Sequence, residues 1–446
     1  MSSTVEDLRR DFGGDIIEPG GAEYESARRS VFVSGSPAYV LRPKSVRDVQ
    51  EGVRFAAGAG LVLSVRGGGH GYPGFATNDG GVVIDLGDLA DVEIIDRDRH
   101  LVRIGGGAKW GQVATALAPY GLAISSGDTR SVGVGGLTLT GGMGWKLRRY
   151  GLALDSVVAA ELVTADGEVV RADAHENPEL FWALRGGGGN FGVVTTFEFA
   201  AQPTTEVFHG MITFPVAEAG GVLQGWADHL RSAPDELTSI VDYANPFTGG
   251  PQAPIELHVV FDGDDPAAAA AAIDPLRRLG TVLADEITRK PYGDVLEEGR
   301  TPPPGIRIVT RSAFVDTPSV PEVLRTLAEA GASGKVPHTA VRSLGGAVSR
   351  VPGDATAYAH REAALMLATT TVGPAAVVEA AGPGLDAFWA RLTPHVSGAY
   401  ANFLSDATEQ AVAAIYPPET YRRLAAVKRR YDPGNLFAAN HNIPPR

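Results

Sequence analysis

Apolar and polar positions along the first 200 residues change period repeatedly, and glycines mark most of the changes. Runs such as Val82-Val83-Ile84-Asp85-Leu86 and Leu101-Val102-Arg103-Ile104 have the length and β-branched content of strands. Between them the spacing lengthens to a helical period, from Ser45-Val46-Arg47-Asp48-Val49 onward and over Trp110 to Leu117. Ser45 is a suitable helix cap, with Asp48 three residues on. Gly60 to Val65 reads as a buried strand leading into Arg66-Gly67-Gly68-Gly69-His70-Gly71-Tyr72. Past residue 205 the glycine clusters thin out. Ile255 to Phe261 reads as a strand there, and the alanine-rich Pro266 to Ile273 as a helix. That region predicts an antiparallel sheet backed by helices, with Pro302-Pro303-Pro304 in a loop. The tail from Tyr421 reads as a basic helix whose Arg422, Arg423, Lys428, Arg429 and Arg430 form a solvated face. It stops at the turn Tyr431-Asp432-Pro433-Gly434-Asn435. The expected class is α+β, divided into residues 1–205, 206–400 and 401–446.

Composition narrows the chemistry. With no cysteine in the chain, disulfides, thiolate nucleophiles and cysteine-ligated metal centres are excluded. A net charge of −13 opposes binding to nucleic acid or an anionic membrane surface. No apolar run reaches the ~18 residues of a spanning helix, and the N-terminal stretch has no apolar signal core, so a cytoplasmic protein is expected. The ten histidines show no metal-ligand spacing. His175, His338, His360 and His441 read as ordinary hydrogen-bonding residues, and no metal is expected. The chain has no Walker P-loop, no G-x-S-x-G elbow and no H-E-x-x-H motif.

What remains is three glycine clusters. Gly67, Gly68 and Gly69 let the backbone approach a ligand with several N–H groups free for an anion, and His70 stands beside whatever they hold. A second cluster runs from Gly127 to Gly144, where Thr138 to Gly144 would let a flat ring lie against bare backbone. Gly187 to Gly192 matches G-x-G-x-x-G, but Glu176 to Leu184 reads as a helix leading in and Val193 to Phe199 as a strand leading out. A dinucleotide fold needs the reverse order, so a Rossmann site is excluded.

Taken in order, Arg66 to His70, Ser131-Val132-Gly133-Val134-Gly135-Gly136, Tyr150 to Asp155, Phe181 to Gly192 and Tyr431 to Phe437 resemble the berberine-bridge-enzyme-like flavoproteins. These are a branch of the vanillyl-alcohol-oxidase type of FAD enzyme, and the resemblance covers nearly the whole chain. It implies a PCMH-type FAD-binding fold, a roofing substrate domain, and a C-terminal tail that returns over the cofactor. It further implies FAD bonded at its 8α carbon to His70. The implied cofactor-binding residues are Arg66, Gly67, Gly68, Gly69, His70, Gly71, Gly127, Thr129, Val132, Gly133, Gly136, Gly141, Gly142, Gly151, Asp155, Val194, Tyr400, Asn402 and Asn440.

Three departures matter. Thr129 stands where many relatives carry a second, cysteinyl tether, so at most one tether is possible. Val132 occupies the oxygen-access position and resembles the oxidases. Tyr400-Ala401-Asn402-Phe403 lacks the terminal tyrosine that serves as base in relatives oxidising alcohols and sugars, and the related carboxylate position aligns with Leu367. The remaining candidates for proton transfer are Tyr400, Tyr243, His338 and Arg342. The resemblance therefore implies an oxidase that passes a hydride from a compact natural product or cyclic amine to flavin, with O2 reduced to H2O2. A carbohydrate or alcohol oxidase with another base, an O2-independent dehydrogenase and a non-catalytic flavin carrier are the alternatives.

Overall fold

The computed structural model describes residues 5–299 and 301–446. Ser45 caps the helix Val46–Ala59 as its side chain accepts from the Asp48 N–H, and Gly60, at φ +64°, ends it. That helix crosses between parallel strands. The small sheet runs in the order Asp15–Ile17, Tyr39–Arg42, Val82–Asp85 and Leu63–Arg66. The last three are parallel, which requires such a crossover. The Gly67–Gly71 loop leaves the carboxyl end of Leu63–Arg66, the edge at which open α/β sheets bind ligands.

A five-stranded antiparallel sheet follows, ordered Val92–Asp96, Leu101–Gly105, Val193–Ala200, Val157–Val163 and Val169–Asp173. Phe197 and Phe199 point from its central strand into a core that also holds Trp110, Leu117 and Phe191. The same core takes in Leu404, Val412, Ile415, Leu424 and Ile443 of the tail, so the chain's end packs on its first part. The helix Pro178–Leu184 precedes, and the strand Val193–Ala200 follows, the third glycine cluster.

The large sheet has antiparallel strands in the order Ala284–Asp285, Glu206–Phe214, Ile255–Phe261, Leu237–Tyr243, His338–Ser343, Leu365–Pro374 and Ile306–Val315. Side chains alternate between its faces. Leu237, Val241, Leu257, Val259, Val341 and Leu367 face the helices Ala219–Leu230, Pro266–Arg277, Val320–Ala332 and Ala375–Leu392. The opposite face presents Ile240, Arg342 and Met366, which pair directly across three adjacent strands. No helix among the described residues is long and apolar enough to cross a membrane.

Candidate functional site

The three glycine clusters, the tail and the large sheet converge on one deep cavity. Two loops meet with almost no space between them. A Cβ on Gly68 would lie 2.2 Å from the Gly133 nitrogen, and one on Gly133 would lie 2.2 Å from the Gly68 nitrogen. Gly69 has φ +72°, the left-handed region that glycine adopts without strain. This close contact sets His70 over Ser131, with its Nε2 at 3.0 Å from the serine Oγ. No described residue bonds its Nδ1. Burial and the nearby Lys109 charge lower the His70 pKa, so the imidazole is neutral at neutral pH.

The other walls come from distant parts of the sequence. Asn190 accepts from the Ile443 N–H at 3.0 Å and receives Lys428 on its carbonyl at 2.8 Å, which pins the tail so that Phe437, Asn440 and His441 line the cavity. Lys428 is therefore not part of a solvated basic face. It is fully buried and paired with Asp432 at 2.7 Å. Tyr400 Oη accepts from the Gly142 N–H and from Asn402 Nδ2, each at 2.9 Å. Burial raises its pKa above the ordinary phenol value, by more than those donors lower it.

Of the residues singled out in the sequence, Gly67, Gly68, Gly69, His70, Gly71, Gly127, Thr129, Val132, Gly133, Gly136, Val194, Arg342, Tyr400, Asn402 and Asn440 line the cavity. Six others do not. Arg66 turns away to the carbonyls of Ala27 and Arg29, at 2.6 and 2.5 Å, and to Asp85. Gly141 and Gly142 lie behind the Tyr400 ring, so they are no bare floor for a flat ring system. Gly151 packs against Asp155, whose carboxylate is occupied by Arg361. His338 bonds Asp242 at 2.5 Å, outside the cavity lining.

A further base candidate, Tyr243, falls away as well, and so does the relatives' carboxylate position at Leu367. Tyr243 and Leu367 both sit on the helix-facing side of the large sheet, because strand alternation sends Asp242 and Met366 the other way. A carboxylate at position 367 would not meet the cavity. Sequence reasoning missed Phe32, Tyr72 and Asp128. Tyr72 stacks on Phe32 with centroids 4.8 Å apart, and Asp128 receives Arg342 at 2.7 Å. Tyr72 carried a signal through its place at the end of the first glycine loop and Asp128 through its place inside the second cluster, whereas Phe32 carried none.

The cavity fits FAD on its own geometry. Glycine backbone from three loops lines it where two of those loops touch, and Val65, Leu139, Val194 and Phe437 supply apolar wall beside polar groups such as Thr129, Asn402 and Asn440.

The comparisons with known proteins agree. Residues 37–173 match the FAD binding domain family, and residues 399–444 match the berberine and berberine-like family. The chain is 36% identical over 435 residues to (R)-6-hydroxynicotine oxidase of Paenarthrobacter nicotinovorans, covering 92% of this chain and 91% of that protein. It is 29% identical over 446 residues to xylooligosaccharide oxidase of Thermothelomyces thermophilus, covering 92% and 88%. Among solved structures, 6-hydroxy-D-nicotine oxidase from Arthrobacter nicotinovorans superposes with a TM-score of 0.87 at 31% identity, covering 99% of this chain and all of that one. Xylooligosaccharide oxidase from Myceliophthora thermophila C1, in complex with xylobiose, superposes at 0.88 with 25% identity and 99% coverage of both chains. With a whole-length relative above 30% identity and the glycine-built cavity in place, the chain belongs to the berberine-like family of FAD-dependent oxidases.

Proposed function

We propose that this enzyme holds FAD through a single bond to His70 and oxidises a compact amine, with O2 as the final acceptor. FAD when bound accepts a hydride and delivers the electrons to oxygen. This chain's residues bind, orient and exclude water around it. Ser131 engages Nε2 of His70 and orients the ring; in the tautomer whose Nε2–H donates to Ser131, Nδ1 would hold the free lone pair for the 8α bond. The chain divides accordingly into a cofactor part (1–205), a substrate part (206–400) and a closing tail (401–446).

The observation that carries the amine reading is the state of the polar groups in the cavity. Tyr400 is buried, held as a neutral phenol and already accepting two hydrogen bonds. Its neighbour Phe403, with ring centroids 5.5 Å away, has no proton to move. Burial works against the Asp128 carboxylate, but Arg342 and the Thr129 hydroxyl outweigh it and hold its pKa below the usual range. A positioned base typically contributes ~10²–10⁴-fold to proton transfer. A neutral amine needs none before hydride loss, since its nitrogen lone pair supplies the electron push. The rate of flavin reduction is expected to follow the substrate amine's own pKa, rising as the ammonium form is lost. Tyr400→Phe and His338→Gln should leave that pH profile in place. Loss of turnover of a simple alcohol or sugar in Tyr400→Phe would reverse the reading.

Tyr72 supports a second reading, a carbohydrate or alcohol oxidase. Its phenol lines the cavity, with its ring 6.4 Å from Phe403, where relatives place their base. Burial and Asp128 raise its pKa while Arg342 works against them, so it rests as a neutral phenol like Tyr400, and the position of its ring is what carries this reading. Tyr72→Phe abolishes sugar oxidation if this reading holds, and spares amine oxidation if the first one does.

Val132 lines the same cavity. Val132→Leu is expected to slow flavin reoxidation by about tenfold, the effect of ~1.4 kcal/mol on a barrier. Reduction by substrate should be spared. Stopped-flow traces with equal reoxidation rates would remove Val132 from the oxygen path.

A further inference from the structure

We propose that Arg342 anchors a neutral carbonyl-type oxygen of the substrate, so that the molecule oxidised carries an amide, lactam or ketone oxygen besides its amine. This rests on reading the cavity as an amine-oxidising pocket. Arg342 lines that cavity from the large sheet, directly opposite Ile240 and Met366 on the neighbouring strands. Its side chain is only 10% exposed. Nη2 donates to Asp128 Oδ2 at 2.7 Å, and the Phe403 ring stands 5.3 Å from Cζ. Nε and Nη1, both buried, have no acceptor in the protein. Buried donors left unmade are costly and uncommon, and on a side chain that lines a cavity they call for an acceptor that a bound molecule can bring.

Charge decides which acceptor. Arg342 has one ion-pair partner among the described residues, Asp128, and that pair is already neutral. A substrate carboxylate would set two anions against one guanidinium among Ile240, Met366 and Phe403, where burying unbalanced charge is penalised. A carbonyl oxygen meets the free N–H groups without adding charge. It would also fix one end of the substrate within the cavity.

The test uses FAD-loaded protein titrated with benzamide, benzoate and toluene, followed by the flavin absorbance. These probes share a phenyl ring and bear a neutral amide, an anion or neither. Benzamide is expected to bind at least tenfold more tightly than toluene. Arg342→Met should bring that ratio close to one while leaving toluene unchanged, and Arg342→Lys should give an intermediate ratio. Asp128→Asn, which frees the guanidinium charge, should move the preference from benzamide to benzoate. The proposal is overturned if benzamide has no advantage in the wild type, or if its advantage survives in both Arg342 variants. It is also overturned if Arg342→Met shifts the ligand-free flavin spectrum with the ratio intact, because the free donors then serve the flavin's own carbonyls. Failure of the amine reading would show in the pH profile of reduction and leave the benzamide preference standing.

Discussion

His70→Ala protein is expected to lose all acid-stable flavin. Wild-type protein precipitated with acid should stay yellow, and a peptide containing His70 should carry the flavin mass. The variant should release its FAD to the supernatant. The effect is all-or-none because the chain has no cysteine, so no second residue can supply a thioether tether. The geometry favours the bond on three counts. The imidazole is neutral, Ser131 engages Nε2, and the Gly68–Gly133 contact fixes the loop that carries the ring. FAD retained by the variant should also have a lower reduction potential, which slows its reduction by substrate. Free FAD in the wild-type supernatant, with no modified peptide, would reduce His70 to a cavity-lining residue. Ser131→Ala offers a finer check. It keeps the loop but removes the partner of Nε2, so flavinylation should slow without being abolished.

The largest effect on stability is expected from Arg361→Ala. Arg361 is 1% exposed and grips Asp155 through two parallel bonds of 2.7 and 2.8 Å, with Thr356 as a third partner. Removing it leaves the Asp155 carboxylate buried beside its remaining donor, the Leu152 N–H. Breaking a buried pair from one side costs ~3–5 kcal/mol. The damage should reach the cavity, because the Tyr358 ring neighbours both the Arg361 guanidinium, at 5.1 Å, and the cavity-lining ring of Tyr400, at 6.5 Å. A fall in the urea midpoint, together with weaker retention of FAD, is the expected result. The double variant Arg361→Ala/Asp155→Leu should recover part of the loss, since the orphaned charge is then gone. An unchanged midpoint in the single variant would show that the pair contributes nothing net.

Local chemistry wrote several features plainly into the sequence. Ser45 and Asp48 mark a helix start because their side chains accept from backbone N–H groups within one turn, those of Asp48 and Lys44. The order of helix, glycines and strand around Gly187 to Gly192 excluded a Rossmann site for the same local reason. The Gly67 to His70 run was legible as a ligand loop because only glycine allows backbone to approach so closely. Absence was legible too, since a chain without cysteine cannot form a second tether.

Other features depended on pairings that sequence order conceals. Alternation puts Tyr243 on the same face as Val241 within one strand, but only the register of neighbouring strands shows that Val341 and Leu367 share that face and that it meets helices. Lys428 looks like one cation of a basic helix until the tail folds back and buries it against Asp432 and the Asn190 carbonyl. Arg66, Gly151 and Asp155 stand in motifs that read as cofactor contacts, yet their side chains or packing surfaces are taken up by protein partners. Arg342 and Asp128 are 214 positions apart and become one group only in the fold. The physical reason is the same in each case. A backbone's tolerance and a helix cap are properties of a few adjacent residues, whereas burial and charge pairing are set by whichever distant segment arrives opposite.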